Sequence, residues 1–195
     1  MAGSDVMRAP LAAALWPATG RGAVLRAATL AVFGSLLLWA SAKVQVPFWP
    51  VPMTMQTYVV LVIGAAYGAR LGAATVALYL AQGFAGPPVF AGAATGPAYL
   101  MGPTAGYLVG FAAAAAVVGW LVQRGGARSV ARMVVVMAVG SAVILSLGVA
   151  WLSAAIGFER AMAVGLLPFL TGDVLKTALA AATLPLAWRA IDRKA

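Results

Sequence analysis

No cysteine and no histidine occur anywhere in this 195-residue chain. The missing thiols exclude a disulfide framework, haem attachment and thiolate chemistry, and the missing imidazoles exclude the usual zinc and iron sites. Carboxylates are almost as scarce. Asp5, Glu159, Asp173 and Asp192 account for all 4 acids, and two of them lie in the terminal segments. Paired-carboxylate catalysis or an all-carboxylate metal cage needs more than that. The chain is therefore expected to be no enzyme and to carry neither metal nor cofactor. Charge of either sign is rare, at 9% of residues, where a soluble domain carries about 25%. What is there instead is hydrocarbon, with 64% hydrophobic residues and a mean hydropathy of +0.98. The chain reads as an integral membrane protein with the lipid bilayer as its first partner.

A net charge of +9 would suit nucleic acid if it were clustered. The basic residues sit between apolar runs instead, where they act as topology signals and headgroup contacts. No nucleic-acid partner is expected. Residues 1–22 contain Pro10 and Pro17 and no unbroken apolar core. They read as a cytoplasmic lead-in rather than a cleaved signal peptide.

The first apolar run covers residues 23–42 and closes at Lys43. Pro47, Pro50 and Pro52 cannot continue a helix, so residues 45–52 form a stiff, aromatic-bearing loop. A second run covers 53–67. The charge-free stretch 71–123 divides at its glycines and prolines into a helix over 71–82, a loop over 83–102, and a helix from Pro103 or Thr104 to Val122. Runs over 133–156 and 167–188 complete the set. The prediction is an all-α fold with six transmembrane helices and both termini cytoplasmic. It places Arg8, Arg21, Arg26, Arg70, Arg124, Arg128, Arg132, Arg189, Arg193 and Lys194 on one side, and leaves Lys43 and Arg160 on the other. Residues 23–190 are then the membrane domain and 191–195 a cytoplasmic tail. The two long Pro/Gly loops fall together on the outer side, which makes that side the mouth.

Within the last run, Asp173 and Lys176 are three residues apart and share a helix face. A charge at the centre of a bilayer helix costs roughly 2.5–3.5 kcal/mol on insertion scales. Either the two satisfy each other, or they are held open for a ligand that carries both N–H donors and an anion. Because this helix runs inward from the mouth, Asp173 is expected near the opening and only partly buried, with Lys176 one turn deeper. Lys43, at the outer end of the first run, either snorkels to headgroups or supplies a second cation for a carboxylate. Thr54 and Gln56 open the second run, and Gln82 closes the third. Each is helix–helix glue or a cavity-lining polar group. Phe48, Trp49, Phe90, Tyr99 and Tyr107 are candidate walls of an apolar pocket, with an interfacial belt as the alternative for Trp49 and Tyr99. Ala27, Ala31 and Ser35 form a ridge of small residues that admits a neighbouring helix.

Four stretches together resemble the BioY family, the biotin-binding S components of energy-coupling factor (ECF) vitamin transporters. They are Val46-Pro47-Phe48-Trp49-Pro50-Val51-Pro52-Met53-Thr54-Met55-Gln56-Thr57, Tyr79-Leu80-Ala81-Gln82-Gly83-Phe84-Ala85-Gly86-Pro87-Pro88-Val89-Phe90-Ala91-Gly92, Gly102-Pro103-Thr104-Ala105-Gly106-Tyr107 and Pro168-Phe169-Leu170-Thr171-Gly172-Asp173-Val174-Leu175-Lys176. The resemblance implies a membrane protein that captures biotin from the outer face, with a transmembrane T component and a pair of ABC ATPases supplying energy. It also implies ligand contacts at Asp173 and Lys176 and a T-component contact along Ala27, Ala31 and Ser35. Many members carry an Arg or another polar group where this chain has Ala93-Ala94-Thr95-Gly96, which leaves Lys43 as a candidate partner for the biotin carboxylate. A stand-alone transporter with Asp173 as proton carrier is the competing class. No Gly-x-x-x-x-Gly-Lys-Ser/Thr loop is present, so ATP-derived energy has to come from another chain.

Overall fold

A computed structural model describes residues 10–47, 49–92, 95–125 and 129–192, with residues 191 and 192 as backbone only. Phe48, Ala93, Ala94, Arg128 and the extreme termini, to which some of these expectations refer, lie outside the described residues. A short helix α1 (Leu11–Leu15) precedes α2 (Gly20–Lys43), and Arg26 Nη1 donates to the Trp16 carbonyl at 2.8 Å, tying the lead-in to α2. Two short antiparallel strands follow, β1 (Gln45–Val46) and β2 (Met53–Thr54), paired Gln45 to Thr54 and Val46 to Met53. The prolines of the connecting loop cannot donate to a ladder, and pairing stops where they begin. Then come α3 (Gln56–Tyr67), α4 (Ala69–Phe84), α5 (Gly96–Leu100), α6 (Ala105–Gly125), α7 (Val130–Ile156), α8 (Phe158–Gly165) and α9 (Leu167–Asp192).

Hydropathy predicts six spans, and the structure corrects that number. Among the described residues four helices are long and apolar enough to cross a membrane: Gly20–Lys43, Ala105–Gly125, Val130–Ile156 and Leu167–Ala190. The other two candidates become α3, with 12 residues, and α4, with 16. At 1.5 Å per residue they rise about 18 and 24 Å, short of the roughly 30 Å hydrocarbon core. The reason is local. Hydropathy counts Met53 and Thr54 as helix, but they pair in the hairpin. At the other end Gly68 takes φ +81, a left-handed conformation that ends α3 and turns the chain straight into α4.

Apolar residues fill the centre. Leu38, Val60, Leu61, Val76, Met133, Met137, Ile144 and Leu184 are all fully buried. The outward face of α2, by contrast, shows Val24, Leu25, Val32, Phe33, Leu36 and Leu37, as expected of a helix in contact with acyl chains. Because successive long elements run in opposite directions, the hairpin, the α4–α6 connection and α8 gather at one end of the bundle. Arg21, Arg70, Arg124, Arg132 and Arg189 gather at the other, where the Arg124 guanidinium lies 4.0 Å over the Trp120 ring.

Candidate functional site

A cavity opens at the hairpin end, between β2, α3, α6, α7 and α9. Its free volume is about 40 Å³, below the roughly 300–1,000 Å³ usual for small-molecule sites, so a ligand of that size is seated only if the walls part or it extends out through the opening. Its walls include Val51, Pro52, Thr54, Gln56, Thr57, Tyr99, Tyr107, Phe111, Ile144, Phe169, Asp173 and Lys176.

The two charged residues reach it from the first turns of α9. They are more deeply set than their expected place near the opening suggests, with 8% of Asp173 and 7% of Lys176 exposed. Neighbouring elements close over them. The Ser141 hydroxyl on α7 donates to Asp173 Oδ2, and Lys176 Nζ donates to the Thr54 carbonyl on β2 at 3.0 Å. Each charge therefore has one hydrogen bond from a different element. Capacity is left over, because an ammonium has three donors and a carboxylate about four acceptor positions.

Thr54 and Gln56 belong to one polar chain along the wall. The Thr54 hydroxyl donates to Gln56 Oε1 at 3.2 Å, Gln56 Nε2 donates to the Tyr79 hydroxyl at 2.7 Å, and Tyr79 donates to the Val89 carbonyl at 3.0 Å. This chain spans the hairpin, α3, α4 and the loop after α4, so it fixes the wall in place as well as lining it. Tyr107 lines the cavity with its ring while its hydroxyl donates to the Gly165 carbonyl at 2.7 Å. Phe169 lies nearly parallel to it, with ring centroids 6.2 Å apart. Gly148 makes room for this arrangement, since a Cβ there would overlap the Tyr107 ring.

The remaining candidates sit elsewhere. Phe90 is buried behind the wall, stacked on Tyr99 at 4.6 Å and edge-on to Tyr79 at 5.5 Å. Burial pushes the Tyr99 phenol above its ordinary 10.0, against an opposing hydrogen bond from Thr104, so it enters the site as a neutral hydroxyl. Lys43 Nζ donates to the carbonyls of Phe90 at 2.8 Å and Gly92 at 3.3 Å. That pins the loop after α4 to the end of α2 and keeps the ammonium outside the cavity wall. Gln82 Nε2 donates to the Ser35 hydroxyl at 3.3 Å, joining α4 to α2. Ser35 is thereby covered, and Ala27 and Ala31 on the same ridge are partly covered. Trp49 is 84% exposed at the tip of the hairpin loop.

Sequence reasoning passed over Thr57, Phe111, Ser141, Ile144 and Phe169. Thr57 is the most informative of these. It lines the cavity, and its buried hydroxyl has no hydrogen-bond partner. A hydroxyl buried in that state costs about 1–3 kcal/mol. Its signal was present in Pro52-Met53-Thr54-Met55-Gln56-Thr57, where Thr57 is the third polar side chain at the start of an otherwise apolar helix.

Residues 9–193 match the BioY family. A protein of Pyrococcus horikoshii named as a probable biotin transporter BioY is 36% identical over 139 residues, 71% of this chain and 82% of its own. The biotin transporter BioY of Thermotoga maritima is 34% identical over 151 residues, 77% of this chain and 88% of its own. The backbone superposes on the crystal structure of the S-component for biotin from an ECF-type ABC transporter with a TM-score of 0.78. That match has 22% identity and covers 88% of this chain and 95% of that one, a likeness of fold. With a family match along nearly its whole length and four apolar helices able to span a bilayer, this chain belongs to the BioY family and is a multi-pass plasma-membrane transport protein, not an enzyme.

Proposed function

We propose that the chain is the substrate-binding S component of a biotin uptake system. Biotin presents a ureido ring with two N–H donors and one carbonyl acceptor, an apolar thiophane, and an acid on an aliphatic tail. The cavity offers a matching set. Asp173 accepts ureido N–H groups, Lys176 and Thr57 donate to the ureido oxygen, and Tyr107, Phe111 and Phe169 cover the thiophane. The observation that carries this reading is the placement of a carboxylate, an ammonium and an unpartnered hydroxyl in one aromatic-walled cavity.

Capture runs from the hairpin end. Arg21, Arg70, Arg124, Arg132 and Arg189 lie at the opposite end, and an excess of such residues marks the cytoplasmic side. The energy for delivery inward comes from partner chains, a T component and ABC ATPases, because this sequence has no nucleotide-binding loop of its own.

The test is calorimetry on the purified protein with biotin. Asp173→Asn and Lys176→Ala are each expected to weaken binding by tenfold or more, since each removes a charge-assisted hydrogen bond of about 1.5–3 kcal/mol. Unchanged affinity in both would rule out this site. Mass spectrometry of the small molecule that co-purifies with the protein checks the ligand independently, and a different vitamin there would overturn the biotin assignment.

A further inference from the structure

A second cavity lies next to the one described above, nearer the hairpin tip, and shares Pro52, Ala91, Tyr99 and Thr104 with its lining. The outer space has a free volume of about 460 Å³, and Gln45, Pro47, Gly92, Ala98, Gly102 and Pro103 are among its walls. Among the described residues lining either cavity, the charged ones are Asp173 and Lys176, and both belong to the inner one. The sequence extends this to the hairpin and the α4–α6 connection. Between Val44 and Gln123 the single charged residue is Arg70, which follows the α3–α4 turn at the far end of α3. Of the other charged residues at this end, Lys43 is held by the Phe90 and Gly92 carbonyls, and Glu159 and Arg160 lie on α8 outside both linings.

The inner pair also disfavours an acid. Asp173 and Lys176 share one helix face and together carry no net charge. They therefore suit a neutral group with both donors and acceptors. A carboxylate brought to Lys176 would face the Asp173 carboxylate as well, a like-charge contact in a partly dry site.

We propose that the ligand seats its neutral ring system on Asp173 and Lys176 and leaves its acid end in the uncharged outer mouth, so that this transporter also takes ligands whose acid is converted to an amide. Gln45, Thr104 and Tyr99 are neutral hydrogen-bonding groups there, and they serve an amide as well as a carboxylate. The substrate class then widens from the free vitamin to its amide-linked conjugates. The proposal rests on the biotin reading above.

The experiment is calorimetry on the full chain in detergent with biotin, biotinamide and biotinyl-lysine. Both amides are expected to bind within tenfold of biotin. If biotin binds and both amides lose more than tenfold, this proposal is overturned while the biotin reading stands. If biotin itself does not bind, the underlying reading falls and this one with it. Two variants test the orientation. Lys176→Met should weaken biotin and biotinamide by the same factor, and a selective loss for biotin would put the acid at Lys176. Thr104→Arg, which adds a cation to the mouth, should make the protein prefer biotin over biotinamide by severalfold. An unchanged ratio would show that the acid end does not lie there.

Discussion

At the scale of single residues, the site depends on which polar atoms the fold leaves unmet. Several hydroxyls in the helices satisfy themselves one turn back. Thr75 donates to the Leu71 carbonyl, Ser153 to Val149 and Thr183 to Leu179. That local bond makes a Ser or Thr in an apolar helix cheap and uninformative. Thr57 is different, because its hydroxyl is buried at the cavity wall without a partner. Thr57→Val keeps the shape and removes only the hydroxyl. It is expected to leave the melting temperature of the ligand-free protein unchanged or slightly raised, and to weaken biotin by about fivefold, the worth of one hydrogen bond of about 1 kcal/mol. Thermal unfolding with and without ligand, together with calorimetry, checks both halves. Equal affinity would take Thr57 out of the site.

Asp173 and Lys176 stand out in the sequence because charge in an apolar run is costly wherever it sits. Ser141, which donates to Asp173, is a small polar residue among other small residues of α7, and its role depends on a contact across 32 positions of sequence. No local pattern carries that information.

At the scale of elements, the hairpin and the two shorter helices shape the mouth. The prolines at positions 47, 50 and 52 mark a stiff loop in the sequence. They do not say that the flanks pair as strands, nor that β2 delivers the Thr54 carbonyl to Lys176. Lys43 shows a similar gap between residue type and role. Either a headgroup or a ligand acid is a chemically reasonable partner for a lysine at a helix end, and the fold supplies two backbone carbonyls instead. The packing of α6 on α7 is equally specific. Tyr107 reaches Gly165 past Gly148, and a Cβ at Gly148 would occupy the space of the ring. Gly148→Ala is therefore expected to displace Tyr107, lower the melting temperature by several degrees, and weaken biotin binding in the same variant. Unaltered thermal stability and affinity would mean that the two helices can part at little cost.

At the scale of the whole molecule, the basic residues sort to one end of the bundle and the binding cavity to the other. Accessibility in cells tests this directly once the protein is isolated after labelling, because the absence of native cysteine leaves this chain no label of its own. Trp49→Cys at the exposed hairpin tip is expected to react with a membrane-impermeant maleimide in intact cells. Arg124→Cys at the far end of the spanning helix α6 is expected to react only after permeabilisation. The reverse pattern would place the mouth on the cytoplasmic side.

Some properties were settled by composition and spacing alone. A chain with 9% charged residues and 64% hydrophobic ones cannot fold as a soluble domain, because its apolar surface far exceeds what one core can hide. An i, i+3 acid and base share a helix face whatever surrounds them. Four ordered motifs were enough to indicate the family. The tertiary structure decided the rest. It set the spans at four by using Met53 and Thr54 as strand and by turning the chain at Gly68. It buried the charged pair under Thr54 and Ser141, and it brought Thr57 and Phe169 to the same cavity. The physical reason is the range of the interactions. Hydrophobicity and helical periodicity act within a turn or two, whereas burial, unmet hydrogen bonds and cavity walls are set by residues that only the packed helices bring together.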